Sequence, residues 1–108
     1  AKTPLYLKRT DNGYGNFTTN DSKGKEVQNF DFDDIQKQYG IIFDTLVIDC
    51  EGCMEQVMID FPNILNKMKF VTFEQDYPSR CNYDWIKSEL RKRNFLQHQD
   101  GFHQIWYK

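Results

Sequence analysis

Asp44-Thr-Leu-Val-Ile-Asp-Cys-Glu-Gly-Cys53 is the segment that decides the fold of this chain. A short apolar run ends abruptly in two carboxylates, Asp49 and Glu51, and apolar residues at helical spacing follow directly. Strand, acidic turn and helix in this order are typical of an open α/β sheet, which binds its ligands at the carboxyl ends of its strands. We therefore expect Asp49 and Glu51 to lie at that edge of the sheet.

Length and charge bound the possible classes. The chain has 108 residues, sixteen acids against fourteen bases, a net charge of −2 and no basic stripe. Its size allows one domain with a modest core, which we place at 1–108, with a strand and polar loop over 1–25 and an α/β core over 26–108. The charge argues against nucleic acid as a partner.

Compartment signals are weak. No apolar stretch approaches the ~18 residues that span a bilayer, so we expect no transmembrane segment. Ala1 in place of an initiating Met indicates processing, or a fragment of a longer protein. Asn16-Phe-Thr18 and Asn20-Asp-Ser22 match the glycosylation acceptor pattern, which has meaning only in a secreted chain. The compartment stays open between cytoplasmic and secretory.

Periodicity and turn residues predict the other elements. The N-terminal part is predicted to contain a strand at 4–8, a turn-rich loop at 9–25, a strand at 27–30 and a helix capped at 31 and 40. A strand at 41–50 follows, then a helix that begins at 54 and is interrupted or kinked near 62. The C-terminal part is predicted to contain a strand at 70–73, a helix at 84–93 and a hairpin of 95–98 with 102–107. The unbroken apolar run Leu46-Val-Ile48 predicts a central parallel strand covered on both faces. The class is α/β with a C-terminal antiparallel hairpin.

Acidic side chains follow two neighbouring predicted strands. Asp49 and Glu51 follow the first, and Glu74 and Asp76 follow the second. Because the carboxyl ends of parallel strands meet at one edge, we expect the four acids along one rim. Carboxylates there can deprotonate a hydroxyl, hold a divalent ion or bind a substrate cation. The structural alternative is that Asp49 caps the following helix and Glu51 faces water. The shared rim favours function.

Three cysteines leave their pairing open. Cys50 and Cys53 flank the acidic turn, and Cys81 lies further along the chain. A thiol pair at a helix start is typical of dithiol oxidoreductases, but Glu51 between the thiols disfavours the thiolate. The spacing is not one that binds zinc. We favour separate packing roles, with one cysteine buried on the strand and the other under the helix.

Two histidines flank the predicted Asp100-Gly101 hairpin turn. The turn would make His98 and His103 direct cross-strand neighbours. Two imidazoles could begin a metal site, but no third ligand is placed beside them, so we expect no metal. Polar residues near a hairpin tip are more often structural or at the edge of a substrate site, and His103 is our candidate for the latter.

Three motifs resemble the C-terminal part of FkbM-type methyltransferases: residues 44–52, the helix start Phe30-Asp-Phe-Asp-Asp-Ile35, and Phe73-Glu74. The hallmark of that family reads roughly Lys-Ile-Asp-Val-Glu-Gly, and here it is Val47-Ile-Asp-Cys-Glu-Gly52, with Val47 in place of the lysine. The resemblance covers nearly the whole chain, most firmly residues 27–77. It implies S-adenosylmethionine as cofactor and a hydroxyl oxygen as methyl acceptor.

The resemblance also implies a fold, a partial class I (Rossmann-like) three-layer sheet. In that family the strands are ordered three-two-one-four-five-seven-six, and the strand at 27–30 would be number three. The glycine-rich turn and the ribose-binding acid of the family's first half are not found in this chain, so the cofactor-binding residues are unknown. The strand at 41–50 would then have an open edge, and we expect it to contact the missing half-domain or another chain.

The function implied is the C-terminal half of an O-methyltransferase, inactive as this chain alone. Asp49 would orient or deprotonate a small-molecule or glycan-like hydroxyl acceptor, and Glu51 would line the acceptor pocket or recognise the cationic part of the cofactor. Substrate-binding roles at the rim fall to Glu74, Asp76 and His103. Two alternatives remain: a non-catalytic, methyltransferase-like interaction or structural subunit, and a dithiol redox protein that uses the two cysteines of the turn.

Overall fold

The computed structural model of the protein describes residues 5–9, 16–19, 21–28 and 30–108, which form two sheets and three helices. One sheet has the order β2-β1-β3 and contains β1 (Leu5–Arg9), β2 (Asn16–Thr19) and β3 (Lys25–Val27). The other has the order β4-β5-β7-β6 and contains β4 (Thr45–Ile48), β5 (Phe70–Glu74), β6 (Leu96–Gln99) and β7 (His103–Tyr107). The helices are α1 (Phe32–Tyr39), α2 (Met54–Asp60) and α3 (Tyr83–Lys92).

The four-stranded sheet is mixed. β4 and β5 are parallel, with Leu46 opposite Val71 and Ile48 opposite Phe73. β7 runs antiparallel to both β5 and β6, so a single parallel pair is joined to the C-terminal hairpin. The predicted α/β class and the antiparallel hairpin are confirmed.

The core lies on one face of this sheet. Val71, Phe73 and Trp106 project from β5 and β7 and are buried. The helices supply the other side of the core, with these buried side chains: Met54 and Met58 of α2, and Tyr83, Ile86 and Leu90 of α3. Alternation along the strands therefore points one set of side chains at the helices.

The opposite face of the sheet is open. Val47 of β4, Phe70 of β5, Leu96 of β6 and Tyr107 of β7 are 70, 37, 59 and 43% exposed. Phe70 pairs with Tyr107, and Tyr107 with Leu96, so these three side chains form one apolar row. Within the part of the chain that the structure describes, helices cover one face only, and the three-layer arrangement implied by the resemblance is not seen.

The prediction that the strand at 41–50 is central in its sheet is also wrong. β4 is the edge strand of its sheet, and Val47 is its most exposed apolar residue. An unbroken apolar run shows that both faces of a strand are apolar, but it does not supply the layer that covers them. The resemblance also implied an open edge at this strand, and the edge position of β4 agrees with that expectation.

The N-terminal part differs most from the prediction. The loop predicted at 9–25 contains β2, whose Thr-rich sequence pairs with β1. The strand predicted at 27–30 lies instead at Lys25–Val27 and pairs with β1, so it does not join the four-stranded sheet. Of the predicted N-terminal segments, residues 1–4, 10–15, 20 and 29 lie outside the described residues. They include the second glycosylation acceptor, Asn20, and one residue of the strand predicted at 27–30.

The ends of α1 and α2 follow the sequence signals. The Asp31 side chain accepts a hydrogen bond of 2.9 Å from the Asp33 backbone N–H, and Gly40 ends α1 with a left-handed φ of 62°. α2 ends at Asp60, before Pro62. Residues 62–67 form turns, so the predicted continuation as a second or kinked helix is wrong. Proline cannot donate the backbone hydrogen bond that a continued helix requires.

The hairpin has a longer loop than the predicted two-residue turn. Leu96 pairs with Tyr107 and Gln99 with Ile105, and His98 occupies the irregular position between paired residues. The predicted His98–His103 cross-strand pair is therefore wrong. The buried Gln104 amide explains the register, because its Nε2 donates to the Gly101 carbonyl at 2.7 Å and to the Asp100 carboxylate.

Candidate functional site

The predicted acids meet at the carboxyl edge of the β4–β5 pair. Ile48 and Phe73 are paired, so Asp49 and Glu74 follow at the same level. One carboxylate oxygen from each of Asp49, Glu74 and Asp76 lies within 4.8 Å of the others. Two neighbouring strands thus bring these acids to one rim, as their positions after the strands predict.

Glu51 joins this group from the turn after β4. Its backbone is left-handed, with a φ of 57°. Partial burial, followed by the charge and hydrogen bonding of the neighbouring Asp76 carboxyl, raises the pKa of Glu51. Asp49 and Glu74 add to this rise. We refer to Asp49, Glu51, Glu74 and Asp76 together as the acidic site.

Glu74 connects the acidic site to the C-terminal hairpin, through its neighbour His103. Partial burial and then a hydrogen bond with Asp49 raise the pKa of Glu74, and the charge of His103 acts in the opposite direction. His103 pairs with Glu74 across β5 and β7, and its Nδ1 lies 3.7 Å from Glu74 Oε1. The predicted rim residue His103 therefore lies at the site, while His98 does not join it through strand pairing.

The structural alternative for Asp49 is not supported. The residue before α2 is Cys53, and no side chain accepts a capping hydrogen bond at that helix start. Asp49 is exposed and lies four residues before the cap. Its surroundings are the other carboxylates, which gives it no role in holding the helix.

Tyr83 positions Asp76, and no pattern in the sequence predicts this contact. The Tyr83 hydroxyl donates to the Asp76 carbonyl at 2.5 Å and lies 3.4 Å from Asp76 Oδ1. The ring is buried and stacks on Phe73, with the centroids 6.0 Å apart. Burial raises the pKa of Tyr83 above its usual value, so the hydroxyl keeps its proton and remains a donor. The available signal was an aromatic residue directly before the helix predicted at 84–93.

Cys50 and Cys53 are joined in a disulfide. The separate packing roles predicted for them are therefore wrong. The Cys53 backbone N–H also donates to Cys50 Sγ at 3.1 Å, so the turn is closed by two interactions. Cys81 is a free thiol, buried in the core. The sequence spacing alone did not distinguish a bonded pair from two packed thiols.

A groove of about 510 Å³ opens beside the acidic site. Its wall consists mainly of the segment after β5 and the start of α3, with Gln75, Pro78, Cys81, Tyr83 and Asp84 among its lining residues. Tyr83 both lines the groove and holds Asp76, and Gln75 lies between Glu74 and Asp76 in the chain. The acidic site does not line the groove itself, and Tyr83 and Gln75 are the residues that connect the two.

The arrangement supports two kinds of chemistry. Carboxyls with raised pKa values can accept a proton from a hydroxyl at neutral pH more readily than ordinary exposed acids. Asp49, Glu74 and Asp76 offer the oxygen ligands that hard divalent cations prefer, and they are the residues that could hold such an ion. No phosphate-binding glycine loop accompanies them in the sequence.

Comparison with known proteins adds no relative. The chain matched no model of a protein family, no curated protein and no solved structure. Across the described segments, no helix combines the length and apolarity needed to cross a membrane. Function is therefore inferred from the site and from the sequence resemblance.

Proposed function

We propose that this chain is the C-terminal half of an FkbM-like O-methyltransferase. The observation that carries the proposal is the strand order β4-β5-β7-β6, with the acidic site at the carboxyl ends of β4 and β5. The sheet of class I methyltransferases ends in the order four-five-seven-six, with an antiparallel hairpin at the end. The strand order and the motif at 47–52 are two independent observations, and both support the proposal.

The open surfaces of the sheet support the same proposal. A parallel pair is normally covered on both faces and continued on both sides. Here β4 has no neighbour on its outer edge among the described residues, and Val47 and Phe70 are exposed on the uncovered face. A second half-domain would supply strands beside β4 and helices over this face. The partner is thus the other half of the domain, in the same protein or in another chain.

Asp49 is assigned the central role in the site. It is exposed at the end of β4, where it can meet an acceptor hydroxyl, and Glu74 and Asp76 lie beside it. Asp49 would orient the hydroxyl or accept its proton, so that an oxygen lone pair faces the donor. Alignment of the two reactants accounts for much of the acceleration in such a transfer.

The other acids and His103 shape the acceptor side. Glu74 and Asp76 form the rim with His103, and the adjoining groove offers space for a small-molecule or glycan-like hydroxyl compound. S-adenosylmethionine would supply the methyl group on a positively charged sulfur. The negative acidic site suits that charge, and Glu51 could recognise a cationic part of the cofactor. No glycine-rich cradle for the nucleoside is found in this chain, so we expect the chain alone to be inactive.

The test is Asp49→Asn in the protein that contains both halves. Loss of a general base typically lowers the rate by about 10²–10⁴-fold, and we expect a loss in this range without unfolding. Asp44→Asn is the matched control, because Asp44 precedes the same strand at its other end. Methyl transfer to a panel of hydroxyl compounds and circular dichroism are the measurements. Full activity of Asp49→Asn would refute the assignment.

A non-catalytic subunit is the second candidate, favoured by the apolar row on the open face. Such a protein would keep the scaffold as an interaction surface. The two candidates predict different sequences upstream of this chain. A glycine-rich strand-turn-helix within the preceding ~100 residues, about the size of the absent half-domain, favours the enzyme. Its absence from the gene and from any partner subunit favours the interaction role.

A dithiol redox function is the third. The Cys50–Cys53 disulfide is the observation in its favour. Against it, Glu51 lies between the two cysteines in the chain, and nearby negative charge disfavours the thiolate that exchange requires. We expect no turnover in an insulin-reduction assay.

A further inference from the structure

The Cys50–Cys53 disulfide closes the turn that carries Glu51. This turn joins β4 to α2, and Glu51 and Gly52 within it are both left-handed, with φ of 57° and 95°. Glycine adopts this conformation freely. For a residue with a side chain this conformation is unfavourable. The closed turn therefore holds Glu51 in a conformation that its backbone does not favour.

The closed turn rests against the segment after β5. A Cβ added to Gly52 would lie 3.1 Å from Arg80 Cβ and 3.4 Å from Tyr77 Cβ. This close approach places Glu51 beside Asp76, the residue before Tyr77, where the two carboxyls interact. Charge repulsion and the left-handed backbone both favour an open turn. The covalent bond between the sulfurs opposes them.

The three sulfurs differ in accessibility. Cys50 and Cys53 are partly exposed, whereas Cys81 is only 5% exposed. Burial also raises the pKa of the Cys81 thiol, which makes it a poor nucleophile towards the disulfide. A soluble reductant can therefore reach the disulfide while Cys81 takes no part. After reduction, the neighbouring acids disfavour the thiolate forms of Cys50 and Cys53, and the thiolate is the form that takes part in disulfide exchange. Further exchange by the reduced cysteines is therefore slow, which suits a switch better than a catalyst that must turn over repeatedly.

We propose that the Cys50–Cys53 disulfide is a redox switch for the acidic site. In the oxidised protein the closed turn holds Glu51 next to Asp76. A dithiol reductant supplies two electrons and two protons; the protein S–S bond breaks, two thiols form, and the reductant becomes a disulfide. The reduced turn then opens and Glu51 leaves the acidic site. This inference concerns the geometry of the site and does not depend on methyl transfer.

Amide hydrogen exchange of the whole chain, with and without dithiothreitol, tests the switch. On reduction we expect exchange at Cys53 to rise at least tenfold, because its N–H loses the hydrogen bond to Cys50 Sγ when the turn opens. Exchange at Val71 and Phe73 in the core strand β5 should stay unchanged. Alkylation with N-ethylmaleimide and mass spectrometry should label two cysteines in the folded, reduced chain, Cys50 and Cys53, and leave the buried Cys81 unlabelled.

Two variants serve as controls. Cys50→Ser/Cys53→Ser should exchange like the reduced chain with or without reductant, and Cys81→Ser should keep the response to reductant. Equal exchange at Cys53 in both redox states of the natural chain would overturn the proposal. So would a rise that includes the β5 core, since the bond would then hold the whole fold. Failure of oxidised glutathione to form the Cys50–Cys53 bond would overturn it as well.

Discussion

Glu51 retains its proton to a higher pH than an ordinary glutamate, because it is partly buried and faces Asp76. A carboxyl whose pKa rises on folding binds its proton more tightly in the folded state. Folding is then less favourable when the group is ionised. Stability falls as the pH rises from the ordinary pKa of 4.5 through the raised pKa of Glu51. The acidic site therefore lowers stability at neutral pH, as expected of groups arranged for function.

Glu51→Gln should remove this cost. We expect the variant to be more stable than the natural chain at pH 7 by up to about 1 kcal/mol, the size of a single charge interaction near the surface. The gain should vanish below pH 4.5, where both chains have a neutral side chain at this position. Urea unfolding at pH 4 and 7 measures it. The exposed Glu26→Gln is the control, and a gain of the same size there would contradict the explanation.

Gly52 is the second residue on which the turn depends. Its φ is 95°, and an added Cβ would lie 3.1 Å from Arg80 Cβ. Gly52→Ala should destabilise the fold by about 1–3 kcal/mol through backbone strain and the close contact. Gly40→Ala is the matched control, since Gly40 has a left-handed φ of 62° but no atom within 4 Å of an added Cβ. Equal losses of unfolding free energy in the two variants would show that the contact with Arg80 has no effect.

At the scale of elements, the β6–β7 hairpin depends on one buried amide. Gln104 is fully buried, and its Oε1 accepts from Gln97 Nε2 at 2.9 Å and Trp106 Nε1 at 3.2 Å. Its Nε2 donates into the hairpin loop, to Asp100 and Gly101. A buried amide without partners costs about 1–3 kcal/mol, so this hydrogen bonding favours one register over the two-residue turn.

The Gln104 hydrogen bond, then the Gly101 backbone and Lys87, lower the pKa of Asp100 to about 2. A depressed carboxyl pKa stabilises the fold at pH above the ordinary value of 3.8, and this contribution is lost as the pH falls towards about 2. Asp100→Asn should therefore unfold with less dependence on pH between 4 and 2 than the natural chain. Acid titration followed by near-ultraviolet circular dichroism measures this. Identical acid midpoints and slopes would contradict it.

At the scale of the whole molecule, the four-stranded sheet has two unprotected surfaces, the open edge of β4 and the uncovered apolar face. Val47 lies on both. Exposed strand edges and apolar faces promote association. We therefore expect the isolated chain to self-associate as its concentration rises.

Val47→Lys should reduce that association, since a lysine on an edge strand disfavours pairing. Ile59→Lys is the control, because Ile59 is 55% exposed on α2, away from the edge. Sedimentation velocity over a range of concentrations should show at least a several-fold weaker association for Val47→Lys and little change for Ile59→Lys. A natural chain that stays monomeric throughout would contradict the prediction.

Local signals predicted the part of the molecule that carries the acids. The helical caps at Asp31 and Gly40, the apolar run before Asp49 and the acids after β5 all rest on short-range patterns, and each lies where its pattern indicates. The convergence at the acidic site followed from a single rule of parallel strands. These features need no knowledge of distant contacts.

Features set by distant partners were missed. Whether an apolar strand is central depends on what covers it, and the hairpin register depends on the burial of Gln104 rather than on Asp100-Gly101 alone. Tyr83 could not be linked to Asp76 without knowing that α3 packs under the end of β5. The disulfide, likewise, requires the turn geometry that brings Cys50 to Cys53.

The bond from Tyr83 to Asp76 makes the acidic site sensitive to the position of a helix. Tyr83 is the first residue of α3, so a displacement of that helix carries the hydroxyl with it and alters how Asp76 is held. Tyr83 also lines the groove. A molecule that enters it would therefore change how Asp76 is held without touching any of the four carboxylates of the acidic site.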